Sequence, residues 1–159
     1  MSVFRALKRL GAASLTPGAA ILPYREDLEE QLDWLAQDID EMGGDAWVLP
    51  VTELSELEES RVKEHMATDR AAEYEALRLD ALEFLRRAPV PARTGNDQVV
   101  RIRTERQLVA FQRRFRKIRA RDYVDASGRE AVARVIDRCL AFRQGISTKL
   151  TASTDEEHP

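Results

Sequence analysis

Apolar positions along this chain follow helical spacing in most places and strand-like runs in a few. Val3, Leu7 and Leu10 share one face of a short predicted helix over 2–10, and Gly11 stands where a left-handed residue would end it. Two short apolar runs, 13–16 and 19–22, flank Pro17-Gly18, which predicts a hairpin that Pro23 closes. Leu28, Leu32, Leu35, Ile39 and Met42 then recur at steps of 4, 3, 4 and 3, the stripe of an amphipathic helix that Gly43-Gly44 stop. Ala46-Trp47-Val48-Leu49 reads as a buried strand. The connections at 23–25 and 43–45 are short, as alternating αβ units require. Residues 1–51 therefore read helix, strand, strand, helix, strand.

Beyond residue 51 only helical spacing remains. Ser55 and Glu58 have capping-box spacing, and an apolar stripe through Val62, Met66, Tyr74, Leu77, Ala81 and Leu85 follows, weakest at Thr68-Asp69-Arg70. At about 1.5 Å per residue this helix would reach on the order of 50 Å, so the spacing predicts a break or a projection. Pro89 and Pro91 end it, and 89–100 is expected to be a polar linker. Thr104 and Gln107 suggest a second capping box, ahead of the stripe Leu108, Phe111, Phe115, Ile118. Ser127 and Glu130 suggest a third, ahead of Val132, Val135, Ile136, Cys139 and Leu140. Residues 52–147 thus read as a helical extension, and 148–159 as a polar tail without structure.

Composition narrows the function classes. The chain has 159 residues, enough to bury roughly two-thirds of its unfolded surface without staples. One cysteine excludes an internal disulfide framework, and two distant histidines, His65 and His158, assemble no metal-ligand set. No apolar run approaches the roughly 20 residues of a membrane span, and the N-terminus lacks the continuous apolar region of a secretory signal. A soluble cytoplasmic protein with no membrane partner and no cofactor is expected. The net charge of −3 conceals an asymmetry: 13–88 carries 7 bases and 19 acids, whereas 89–144 carries 14 bases and 6 acids. Such blocks complement each other, within the fold or across a dimer, direct the basic third to a polyanion or an oxyanion, or are solvated charge with no partner.

The order helix, strand, strand, helix, strand is that of a ferredoxin-like βαββαβ unit without its first strand, since Met1 falls at the start of the first helix. The residues also resemble a family. Phe4-Arg5-Ala6-Leu7-Lys8-Arg9-Leu10-Gly11-Ala12, Ile21-Leu22-Pro23 with its leucine-rich helix, and Gly43-Gly44-Asp45-Ala46-Trp47-Val48-Leu49 resemble the opening of the N-terminal domain of the chromate-resistance protein ChrB. Phe115-Arg116-Lys117-Ile118-Arg119-Ala120-Arg121-Asp122-Tyr123 and Gly128-Arg129-Glu130-Ala131 resemble its closing helices. The likeness runs over roughly residues 3–142, carried by the ordered set rather than any one motif. It implies an α+β fold and a regulator of a chromate-efflux operon. The family's first strand and its frequent second domain are not found in this sequence.

The candidate chemistry is basic. Arg113, Arg114, Arg116, Lys117, Arg119 and Arg121 lie off the apolar stripe of their helix, and Arg5, Lys8 and Arg9 line the polar side of the first. Guanidinium forks suit DNA phosphates and equally a dianion such as chromate. The same charges would also suit a solvated face or pairing with the acids of 53–64. Cys139 lies on an apolar stripe between Ile136 and Leu140, which favours a buried inert thiol over a redox one. Trp34 and Trp47 are expected in or near the core. No nucleophile elbow, glycine-rich phosphate loop or isolated carboxylate pair supports catalysis, so a non-enzyme is expected. Two functions remain open: a chromate-response regulator binding DNA or an oxyanion, and a non-catalytic interaction module, homodimeric through its sheet edge.

Overall fold

The computed structural model describes residues 2–87 and 97–154. The chain is α+β: helix α1 (Val3–Leu10), strands β1 (Ala13–Thr16) and β2 (Ala19–Ile21), then helices α2 (Glu26–Glu41), α3 (Glu56–Arg87), α4 (Asp97–Arg119) and α5 (Arg129–Thr154). It divides into two compact units, one of residues 1–70 with 121–126, the other of 71–120 with 127–159.

In the first unit the local stop signals act as the sequence implies. Gly11 adopts φ 86° and donates to the Lys8 carbonyl at 3.2 Å, while Ala12 donates to that of Leu7 at 3.1 Å. These two bonds form a Schellman motif that satisfies the last carbonyls of α1. Gly43 and Gly44 repeat it on α2, donating to Asp40 and Ile39 at 2.9 Å each. A side chain at Gly44 would meet Ile39 Cγ2 at 2.6 Å. The hairpin turns at Pro17-Gly18 and pairs β1 with β2 antiparallel, Ala13 opposite Ile21, with an irregularity between Ser14 and Thr16. Leu28 and Leu35 of α2 are buried, as are Ala6, Ala12, Ala13 and Met66, whereas Leu32 is half-buried. Ser55 caps α3 as its spacing implies. Its backbone N–H and hydroxyl donate to Glu58 Oε2 at 2.9 and 2.6 Å, and its Oγ accepts the Glu58 N–H at 3.3 Å. These bonds hold the Glu58 carboxyl below the usual range.

Segment 121–126 returns to this unit and closes on α1. Tyr123 Oη donates to the Leu10 carbonyl at 2.7 Å, and Arg121 Nη1 to that of Lys8 at 2.8 Å. A cation at the C-terminal end of a helix matches its dipole.

In the second unit the 71–87 part of α3 packs with α4 and α5. Ala81 and Phe84 from α3, Leu108 from α4, and Val135 and Cys139 from α5 form the buried cluster, flanked by Leu82, Leu85, Phe111 and Leu140. The Phe84 and Phe111 rings meet edge-on at 5.8 Å, and Tyr74 lies 6.1 Å from Phe115.

The structure departs from the sequence reading at four places. The strand expected over 46–49 does not form: among the described residues the sheet has only β1 and β2, so this stretch has no neighbour to accept its ladder bonds. The ferredoxin-like arrangement is therefore not seen. Trp34 and Trp47, expected near the core, are 59% and 79% exposed. α3 runs unbroken from Glu56 to Arg87, one of the two outcomes its length allowed, and Arg70, at its apparently weak point, is buried. α4 starts at Asp97 rather than Thr104, which is buried inside the helix, and the remainder of the expected linker lies outside the described residues. α5 starts at Arg129 and runs to Thr154, taking in 148–154 of the expected tail; 155–159 lie outside the described residues.

Candidate functional site

Helix α4 carries its charge on the side its core stripe leaves free. Thr104, Leu108 and Ile118 are buried, with Phe111 and Phe115 half-buried between them, so one side faces α3 and α5. On the opposite side Val99, Ile102, Arg106, Val109, Arg113 and Arg116 recur at steps of 3 and 4, and all are exposed. The helix carries eight bases against two acids. Arg116, Lys117 and Arg119 occupy its last turn, where cations match the dipole, so local stability alone favours part of this charge.

The structure separates the six basic residues singled out in the sequence. Arg113, Arg114, Arg116, Lys117 and Arg119 are exposed on α4. Arg114 is held by an ion pair to Asp80 of α3. Arg121 does not join the row: the helix ends at Arg119, and Arg121 is committed to the Lys8 carbonyl in the other unit. Lys8 and Arg9 are exposed at the end of α1, and Lys8 Nζ lies 6.0 Å from the Phe4 ring centroid. Two of the acids of 53–64 have local partners, Glu58 with Ser55 and Glu59 with Lys63 at 2.6 Å.

Arg106 lies outside the basic cluster that density along the chain delimits. Its signal was its place seven residues before Arg113, on the same helical face. From Arg106 to Arg116 the row rises about 15 Å along the axis. Guanidinium groups strung out and exposed in this way suit an extended anion, whereas a small dianion calls for donors converging in a concave site.

Two further residues singled out in the sequence are Cys139 and His65. Cys139 is fully buried, with Sγ 3.5 Å from the Ala81 carbonyl, and burial pushes its pKa up to about 11. The thiolate fraction at neutral pH is then roughly a hundredfold below that of an ordinary thiol. Iodoacetamide should leave the native protein unmodified over a period in which it alkylates the denatured chain completely. Rapid native alkylation, read by mass spectrometry, would refute the buried placement. His65 is exposed on α3. Among the described residues no cluster of three or more histidine, cysteine, aspartate or glutamate side chains is arranged to hold a metal, and no helix is long and apolar enough to cross a membrane.

Comparison with known proteins adds one match. The family model described as Protein ChrB, N-terminal, matches residues 1–157. No curated protein and no solved structure matches significantly.

Proposed function

We propose a regulatory function from the premise that this chain belongs to the family of ChrB N-terminal domains, which the match over residues 1–157 establishes. Membership makes it a chromate-resistance-related protein. In our reading it takes part in the transcriptional response to chromate by binding DNA through the exposed face of α4, without catalysing a reaction. One observation carries this reading: the arginines of α4 face away from the packed side and follow one another along the axis, as phosphate contacts along a duplex require. Lys8 and Arg9 of α1 are further phosphate contacts in the same reading.

Affinity should come from phosphates rather than base edges, because the face offers charges and few amides. Replacing Arg113, Arg116 and Lys117 together by glutamine should weaken binding to all sequences alike. It should also flatten the slope of log K against log salt by about 0.9 for each phosphate that is no longer neutralised. The packed side of α4 is untouched, so stability should change by no more than about 1 kcal/mol for any exposed pair affected. Fluorescence anisotropy on a labelled duplex across a salt series gives the slope, and a denaturant melt gives the stability. A wild-type chain that binds no DNA at low salt would overturn the reading.

A further inference from the structure

Helix α2 has an outward face that neither solvation nor helix stability explains. Glu30, Trp34 and Asp38 follow at four-residue steps off the stripe of buried Leu28 and Leu35, and all three are exposed. The helix carries eight acids and no base. Glu26, Asp27 and Glu29 sit in its first turn, where the dipole welcomes them. Asp38, Asp40 and Glu41 crowd the opposite end, where it does not, and no base sits in that turn to offset them. An exposed tryptophan between two carboxylates, on a helix charged against its own dipole, has the composition of a contact surface for a cationic partner.

A face of matching chemistry lies in the same sequence. On α4, exposed Val109 stands between Arg106 and Arg113, three residues after one and four before the other. Each face therefore sets one apolar side chain between two like charges, with rises of about 4.5–6 Å on either side. The signs are opposite, eight acids and no base on α2 against eight bases and two acids on α4.

We propose that the outward face of α2 docks the outward face of α4 from a second copy of this chain. Trp34 packs on Val109, Glu30 and Asp38 pair with Arg106 and Arg113, and helices running in either direction satisfy both pairs. The occupant is a second copy because every molecule carries both complementary faces. Trp34 also gives the arginines a ring to stack on. The proposal does not rest on DNA binding, although both would use Arg106 and Arg113 and would therefore exclude each other.

Sedimentation equilibrium of the full chain tests this. Self-association should be measurable at low ionic strength and weaken as salt screens the pairs. A chain with Glu30→Arg and Asp38→Arg, and another with Arg106→Glu and Arg113→Glu, should each self-associate roughly tenfold or more weakly than wild type. Mixed together, the two variants should associate with each other as wild type does, because every contact between them is again of opposite sign. The mixture controls for folding, since a misfolded variant would not regain a specific partner. A wild type that stays monomeric at low salt, variants that self-associate undiminished, or a mixture that fails to associate while both circular dichroism spectra match wild type would each overturn the proposal. DNA binding is measured separately, and its absence leaves these outcomes unchanged.

Discussion

Leu108→Ala should destabilise the chain by about 2–5 kcal/mol, toward the upper end of that range. Leu108 is only 1% exposed, and its buried neighbours come from two other helices: Ala81 and Phe84 of α3, and Val135 and Cys139 of α5. Walls supplied by separate elements cannot all move inward to fill the space a lost isobutyl group leaves. Alanine is a better helix former than leucine, but that gain is a few tenths of a kcal/mol and does not offset the cavity. Against a total stability of about 5–15 kcal/mol, the loss is a large fraction. Denaturant unfolding followed by circular dichroism should show the midpoint fall sharply. Leu108→Met, which nearly conserves volume, should cost less than about 1.5 kcal/mol. Equal effects from the two substitutions would mean that the site is not tightly packed.

Gly11→Ala should cost about 2–4 kcal/mol, from two sources that a control separates. The backbone at Gly11 is left-handed, with φ 86°. A Cβ there would also lie 3.0 Å from Arg121 Cβ, 3.0 Å from the Arg121 carbonyl oxygen and 3.1 Å from Tyr123 Cε2. Backbone cannot swing aside as a flexible side chain can, so segment 121–126 would have to shift. That shift would strain the Tyr123 and Arg121 hydrogen bonds to the end of α1. Gly18 has nearly the same backbone, φ 90°, with nothing within 4 Å of where a Cβ would sit. Gly18→Ala should therefore show only the conformational cost, about 1 kcal/mol. If both substitutions lowered the midpoint equally, the contact with 121–126 would contribute nothing.

Signals that act within a turn or two of chain were legible in the sequence. Gly11 and Gly43 mark helix ends because only glycine takes a left-handed angle without penalty, and the Ser55–Glu58 box closes over three residues. Signals that need a distant partner were not. The stretch 46–49 has strand composition, but a strand exists only where a neighbour offers a ladder. The spacing of Thr104 and Gln107 is that of a cap, yet α4 already runs through Thr104 from Asp97. For the candidate site, the excess of arginine was visible, while its division was not. Asp80, which holds Arg114, is 34 residues away, and Lys8, whose carbonyl holds Arg121, is 113 away. Trp34 could have been placed outward from spacing alone, since it falls between Leu32 and Leu35 and off their stripe. The general preference of large aromatics for interiors hid it.

The unpaired stretch after α2 also bears on how the protein resists aggregation. Trp47, Leu49 and Val51 alternate along it and are all exposed, while Ala46 and Val48 are half-buried. A short apolar window of this kind invites strands from other molecules to add in register and grow into fibrils. The window contains its own breaks. Pro50 has no N–H, so the edge that residues 46, 48 and 50 would present cannot complete a ladder. Asp45 and Glu53 bracket the window with like charges, which stacked copies would bring against one another. An apolar surface can thus remain open on this protein because Pro50 within the window and Asp45 and Glu53 beside it make uncontrolled strand stacking unfavourable.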